Sequence, residues 1–121
     1  MSPGDDTQWI RSAFWVGKPY ETQAVAFDKA INAEMVPALG TLPGVSKARA
    51  LWPRKREDNP PSLYCQVIVE FADFAALQTM LASPERLALR QKVQEVAALF
   101  DGTLSHIDYE VGTDRKLEES A

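Results

Sequence analysis

Four strand-like segments, separated by helical ones, set the fold expected for this chain of 121 residues. Residues 9–16 are rich in aromatic and branched side chains and stop at Gly17, which favours a first strand. Charged and small residues alternate over residues 45–52 and predict a second strand. Residues 63–71 (LYCQVIVEF) show the strongest β pattern of the chain, and residues 103–111 form the last predicted strand.

Helical patterns lie between these strands. Residues 21–39 carry apolar side chains at roughly helical spacing and predict the first helix. Asp73 is suited to cap a second helix that ends near Ser83. The step Ser83-Pro84-Glu85 is typical of a new helix start, because serine is a common cap and proline is favoured at the first helical position. This third helix is predicted to stop at Asp101-Gly102.

The resulting order, β-α-β-β-α-α-β, predicts an α+β fold of the ferredoxin-like class. In that fold a four-stranded antiparallel sheet carries helices on one face. Right-handed connections place the first and third strands in the middle of the sheet. We expect one domain over residues 8–111, a flexible N-terminus over residues 1–7 and a C-terminal tail over residues 112–121.

The charge and the rare residues exclude several classes of protein. The formal net charge is −4, and the basic run Arg54-Lys55-Arg56 is followed at once by two acids, so we expect no nucleic-acid partner. One histidine cannot build a multi-histidine metal site, and one cysteine cannot form an internal disulfide. Neither a signal peptide nor a membrane-spanning stretch is evident, so we expect a cytoplasmic protein with no membrane partner. We also expect no cofactor.

The sheet face opposite the helices is predicted to be rich in large apolar side chains that no helix of the same chain covers. Strand alternation turns Cys65, Val67, Val69 and Phe71 toward the helices. On the open face we expect large side chains beside two polar ones: Trp9, Trp15, Tyr64, Ile68, Arg11 and Gln66. Such a patch is unusual on a monomer and typical of a protein interface. We therefore predict a homodimer in which the second faces of two sheets pack together.

Two stretches carry a resemblance to a known family. Residues 67–86 (VIVEFADFAALQTMLASPER) are followed by residues 106–111 (HIDYEV), and the first half contains residues 34–45 (EMVPALGTLPGV). Together they resemble the EthD-like group of the dimeric α/β-barrel superfamily over most of the chain. The resemblance implies a ferredoxin-like fold, dimers, and a ligand pocket between the sheet and the helices of each subunit.

The resemblance also implies which residues form the site. It places Asp108 on the pocket side, and alternation then turns His106 to the same face, where it would be a general base with a carboxylate two residues away. Arg86 stands where polyketide-cyclising relatives carry an acid-base histidine. Because an arginine cannot release its proton near neutral pH, Arg86 would instead hold a carboxylate or enolate oxygen. Glu34 stands where many relatives place a histidine. The implied pocket is completed by Ser12, Phe14, Cys65, Val67 and Met80.

Simpler interpretations of the same residues stay open. The hydrophobicity of the last strand alone would turn Ile107 and Tyr109 inward and leave His106 and Asp108 outside. His106 would then be a surface histidine. The other candidates also suit ordinary structural roles. Cys65 and Met80 suit a packed core, and Glu34 suits a solvated helix face.

Three classes of function follow. The first is an EthD-like enzyme that acts by proton transfer, or by cofactor-free oxygen chemistry, on a small hydrophobic compound; relatives are linked to ether and aromatic degradation and to polyketide tailoring. The second is a haem-handling member of the superfamily with His106 as the iron ligand, which haem titration without a Soret band would exclude. The third is a non-catalytic binding or accessory protein that uses the same pocket.

Overall fold

A four-stranded antiparallel sheet forms the centre of the computed structural model, which describes residues 7–114. The strands lie in the order β2-β3-β1-β4, so the first and third strands occupy the middle as predicted. The helices pack on one face, which confirms the ferredoxin-like fold. The strand bounds are β1 Trp9–Pro19, β2 Val45–Leu51, β3 Leu63–Phe71 and β4 Phe100–Glu110.

The helices begin where the capping residues indicate. The first helical region is a run of four pieces: a 3-10 turn (Glu21–Gln23), α1 (Ala24–Lys29), a π-helical turn (Ala30–Met35) and α2 (Val36–Gly40). Two longer helices follow β3: α3 (Phe74–Ala82) and α4 (Pro84–Ala97). The Asp73 carboxylate accepts a hydrogen bond from the backbone N–H of Ala76 at 2.8 Å, and the Ser83 hydroxyl accepts one from Arg86 at 3.2 Å. Both predicted caps therefore start a helix.

The register of β1 corrects the face expected for its aromatic side chains. Trp9, Arg11 and Trp15 lie directly opposite the buried Phe71, Val69 and Cys65 of β3, and opposite residues share a face. Both tryptophans and Arg11 are thus on the helix-covered face and not on the open one. The sequence could not decide this, because both alternating sets of β1 contain large apolar residues.

Tyr64 is also turned away from the open face. The β1 partner changes from Cys65 to Leu63 between Trp15 and Val16, so a bulge leaves Tyr64 without a direct partner. Its ring lies 5.6 Å from that of Phe27, and its hydroxyl donates to Asp28 at 2.8 Å. Of the expected open-face patch, Ile68 and Gln66 remain, together with the outward side chains of β4.

Two apolar clusters hold the helices to the sheet. In the larger one the rings of Trp15, Phe27 and Phe100 pack edge-to-face or tilted, with centroids 5.0 to 5.2 Å apart. The smaller cluster joins Phe71 to α3, where Leu77 and Met80 are buried. Each fully buried side chain of this size stabilises the fold by roughly 1.5–3 kcal/mol. The clusters fix the distance between the helices and the sheet at either end.

The strands β1 and β4 run further than predicted. Gly17 does not end β1, because it pairs with Gly102 and the ladder continues to Pro19 opposite Phe100. Consequently the helix predicted to reach Asp101-Gly102 ends at Ala97, and β4 begins at Phe100. Two facing glycines allow the backbones to approach more closely than side chains would permit.

The flexible N-terminus and C-terminal tail predicted over residues 1–7 and 112–121 fall largely on residues 1–6 and 115–121, which lie outside the described part. Within residues 7–114 no helix is long and apolar enough to cross a membrane.

Candidate functional site

A cavity of about 250 Å³ lies between the sheet and α4. Most of its wall is aliphatic, and its polar part consists of three arginines and the only histidine of the chain. The lining residues are Arg11, Ala13, Leu39, Leu42, Val67, Val69, Met80, Arg86, Leu87, Leu89, Arg90, Val93 and His106. Such a mixture suits a small, mainly apolar compound oriented by a few charged groups.

The floor of the cavity is built from two neighbouring rows of the sheet. One row is Val67, Ala13 and His106, and the next contains Val69 and Arg11. The following row is filled by Trp15, which is buried. Ala13 therefore provides the space, because its methyl group stands between two larger neighbours in the middle of the sheet.

The wall comes mainly from α4. Arg86, Leu89, Arg90 and Val93 occupy positions i, i+3, i+4 and i+7, which places them on one side of a helix. The Ser83 cap and Pro84 start this helix immediately before Arg86. The local sequence thus decides which side of α4 faces the sheet.

Arg11 is neutralised by a carboxylate on the neighbouring strand. Its Nη1 donates to both oxygens of Asp108, at 2.9 and 3.1 Å, and the two residues are direct partners between β1 and β4. Asp108 does not line the cavity. It therefore acts on the site through Arg11 and through its own charge, and within residues 7–114 it forms no hydrogen bond to His106.

Arg86 and Arg90 have a different environment. The Arg86 guanidinium donates to the backbone carbonyl of Leu81 at 3.3 Å. Within residues 7–114, neither Arg86 nor Arg90 has a carboxylate oxygen within 4.0 Å. The side of the cavity formed by α4 is therefore positively charged.

His106 stands where these charges meet. Desolvation at the cavity wall and the positive charges of Arg11 and Arg86 lower its pKa below the ordinary 6.5, and the Asp108 carboxylate opposes them. The ring remains solvent-accessible at the edge of the sheet, so the desolvation is partial. A neutral imidazole is favoured at neutral pH, and a neutral imidazole can accept a proton.

The structure distributes the predicted site residues over three places. His106, Arg86, Val67 and Met80 line the cavity. Placing Asp108 and His106 on the helix-covered face agrees with the resemblance, whereas the hydrophobicity of β4 alone gave the wrong orientation. Asp108 lies beside the cavity in its bond to Arg11.

Four predicted pocket residues lie elsewhere. Ser12 and Phe14 point to the opposite face of the sheet, since they alternate with Arg11 and Ala13, and the Ser12 hydroxyl accepts from Gln66 at 2.7 Å. Cys65 is fully buried in the larger apolar cluster, where desolvation raises the pKa of its thiol to about 12. Glu34 lies on the π-helical turn and forms an ion pair with Lys92 outside the cavity.

Sequence reasoning missed several lining residues. Arg11 and Ala13 were missed because the face of β1 was assigned the wrong way round. Arg90 was detectable, since it follows Arg86 by one helical turn. Leu39 and Leu42 left no signal, because their place over the sheet depends on how the first helical region packs.

A metal centre is not formed by the described residues. Within residues 7–114 no three histidine, cysteine or acidic side chains come close enough to hold an ion. The charged groups at the cavity are cationic, apart from the paired Asp108. The side chains present at this site are suited to proton transfer and anion binding.

Comparison with solved structures places this geometry among known folds. An ethyl tert-butyl ether D (EthD) family protein from Bacillus halodurans C-125 superposes with a TM-score of 0.68 and 16% identity, covering 88% of this chain and 99% of that one. The chain has the ferredoxin-like fold of an EthD family protein. The family resemblance seen in the sequence is thereby confirmed at the level of the fold.

Two other solved structures are similar. A variant of SnoaB, a cofactor-independent oxygenase from Streptomyces nogalater, has a TM-score of 0.57 and 21% identity, with coverage of 94% of this chain and 99% of that one. A dimeric ferredoxin-like protein of unknown function from Jannaschia sp. CCS1 has a TM-score of 0.62 and 19% identity, with coverage of 86% and 99%. No protein-family model and no curated protein matches the chain.

Proposed function

We propose that the cavity binds a small hydrophobic compound and that His106 accepts a proton from it. The observation that carries the proposal is the position of His106. Its imidazole lies on the floor of a mainly apolar cavity beside cationic side chains, and its lowered pKa favours the neutral ring. Because its pKa lies below the ordinary 6.5, the imidazole is mostly neutral at neutral pH and is available to accept a proton. The arginines would stabilise the negative charge that proton removal leaves on the compound.

Cofactor-free chemistry fits this arrangement. The structurally similar SnoaB is described as a cofactor-independent oxygenase. Proton transfer at His106 also needs no bound group, because the imidazole and the cavity charges belong to the chain itself. Ether, aromatic and polyketide-like compounds are the substrate classes proposed from the family resemblance, and their apolar bodies suit the aliphatic wall.

A general proton-abstraction probe tests the proposal without a known substrate. In 5-nitrobenzisoxazole, removal of the ring C–H proton forms a nitrile as the N–O bond breaks, and a coloured nitrophenolate is released. Wild-type protein should accelerate this release, and the rate should rise with pH through the lowered pKa of His106, since only the neutral imidazole accepts the proton.

Matched variants assign the activity to the site. His106→Gln should reduce the rate at least about tenfold, because the general base is lost. Ala13→Leu should reduce it by filling the floor of the cavity, while Arg54→Gln, in the exposed loop after β2, serves as the control. Full activity in His106→Gln would refute the role of His106.

One observation favours a non-catalytic binding or accessory protein as the second candidate. Asp108 is engaged by Arg11 and not by His106, so the histidine has no orienting carboxylate of the kind found in many catalytic pairs. This alternative predicts that ligand extracted with the purified protein is retained unchanged over hours, as followed by mass spectrometry.

We also propose that two copies of the chain pack through the open sheet face. Ile107 and Tyr109 are 47% and 42% exposed there, and Leu51 of β2 is 40% exposed. Half-buried Ile68 and Phe14 lie between them on the same face. A structural neighbour is described as dimeric, which supports a second copy as the occupant of this face.

A further inference from the structure

The cavity has the opposite charge to the chain. The formal net charge is −4, but the charged side chains lining the cavity are three arginines, and no acidic side chain lines it. We propose that its ligand is a small aromatic or alicyclic carboxylate, with the carboxylate held by Arg86 and Arg90 and the apolar ring on the sheet floor. This inference rests on the proposed function and names the class of compound that the site takes.

Arg11 does not contribute a free charge to this site. Both oxygens of Asp108 accept from its Nη1, so its positive charge is balanced within the sheet. Arg11 and Asp108 form one side of the floor, and the anion would bind to the arginines of α4 on the opposite wall. A ligand carboxylate near Arg11 would have to compete with the carboxylate of Asp108. Arg86 and Arg90 present no such competition, because within residues 7–114 no side-chain carboxylate lies within 4.0 Å of either.

Arg86 is held in position for such a ligand. Its hydrogen bond to the Leu81 carbonyl uses one of the five N–H donors of the guanidinium. Because the guanidinium is planar and rigid, this bond also restricts the directions of the other donors. Arg86 is only partly exposed, so an unpaired charge there is less well hydrated than on an open surface. Pairing with a carboxylate through two parallel hydrogen bonds would remove that cost.

Arg90 lies one helical turn after Arg86 on the same side of α4. Side chains four residues apart are about 5–6 Å apart at their Cβ atoms, so both guanidinium groups can reach one carboxylate. Leu87, Leu89 and Val93 adjoin them. Charge at one end and aliphatic contact elsewhere match a compound with one acidic group and an apolar body.

The volume limits the size of this acid. A cavity of about 250 Å³ is near the lower end of small-molecule pockets, which begin at roughly 300 Å³. A one- or two-ring carboxylate fits this space. The cavity is open enough for the acid group to remain at the α4 rim while the ring contacts Ala13 and Val67.

Calorimetry with the full chain tests the inference. The probes are 1-naphthoate and its neutral isostere 1-naphthamide, with benzoate and benzamide as a smaller pair. Wild-type protein should bind each carboxylate at least about tenfold more tightly than its amide. The double variant Arg86→Gln/Arg90→Gln should remove this preference, because it weakens binding of the carboxylate far more than binding of the amide.

Three further variants keep the test specific. Arg54→Gln removes the same charge far from the cavity and should leave the preference intact. Arg90→Gln alone changes an exposed side chain and should reduce the preference even if the double variant fails to fold. Ala13→Leu should weaken both members of each pair, which locates their binding at the cavity floor.

His106 gives an independent readout. A carboxylate paired with Arg86 should offset the positive charge that lowers the His106 pKa and so raise that pKa, and an amide should not, as followed by proton NMR of the ring. Equal affinity for carboxylate and amide would overturn the inference and leave the proposed function standing. Binding of neither pair would also overturn it, and the benzisoxazole assay would then show separately whether the cavity is a proton-transfer site.

Discussion

His106 is controlled by charges on both sides of the cavity. Desolvation and the positive charges of Arg11 and Arg86 lower its pKa, while the Asp108 carboxylate raises it. Arg11 and Asp108 are bonded to each other, so the two opposing influences come from one ion pair on neighbouring strands. A substitution of Arg11 or Asp108 should therefore change the protonation of His106 even when no ligand is bound.

Asp108→Asn should lower the pKa of His106 further. The substitution removes the one charge that favours the protonated ring and leaves the positive charge of Arg11 uncompensated. A proton NMR titration of the ring measures this directly, because the chain contains a single histidine. Asp101→Asn, near the start of the same strand, is the control. An unchanged or raised pKa in Asp108→Asn would contradict the electrostatic account.

The sequence showed some of these residues and concealed others. Arg86, His106, Met80 and Val67 were all predicted from the pocket that the family resemblance implies, combined with strand alternation. Arg11 and Ala13 were not found, because the alternation in β1 has large apolar side chains in both phases. A single-residue shift in phase exchanges the two faces, and only the pairing with β3 decides between them.

Capping determined the helices more reliably than periodicity determined the strand ends. Asp73 and Ser83 each occupy the predicted cap, and the bounds of β3 agree with the prediction. Glycine was misleading in β1 and β4, since it was interpreted as a stop signal at Gly17 and Gly102. The bulge at Tyr64 also had no sequence signal, because it arises from a change of partner between two strands.

Gly102→Ala should destabilise the fold by about 1–3 kcal/mol. A Cβ at Gly102 would lie 2.0 Å from the backbone oxygen of Val16, which the paired strand cannot move aside without disturbing its ladder. Urea denaturation followed by tryptophan fluorescence measures the change.

Gly40→Ala is the matched control for this substitution. Gly40 has nothing within 4 Å of its would-be Cβ, and alanine has the higher helix propensity, so the variant should be at least as stable as the wild type. Equal stability of Gly102→Ala and Gly40→Ala would show that the close approach of β1 and β4 is not required.

At the scale of the whole molecule, the sheet separates two functions by its faces. One face, with His106 and Arg11, contributes to the cavity, and the other, with Ile107 and Tyr109, is the proposed dimer surface. The sequence predicted such a surface but wrongly assigned Trp9, Trp15 and Tyr64 to it. A cytoplasmic location stays a prediction from the sequence.

Ile107→Asp should convert the dimer to a monomer. A carboxylate in the middle of the proposed interface would lose its hydration without gaining a partner. Light scattering after size-exclusion chromatography, at micromolar concentration, should give twice the chain mass for the wild type and the single mass for the variant. Val25→Asp, on exposed α1, is the control and should remain dimeric. A monomeric wild type would contradict the proposed interface.

The strand β4 lies at the edge of the sheet and belongs to both surfaces at once. Its even-numbered residues around His106 face the cavity, and their odd-numbered neighbours face the proposed dimer surface. Because one strand contributes to both faces, a shift of β4 on dimerisation would also move His106. Ligand binding and dimerisation would then be coupled, and by linkage a ligand that strengthens the dimer binds the dimer more tightly than the monomer.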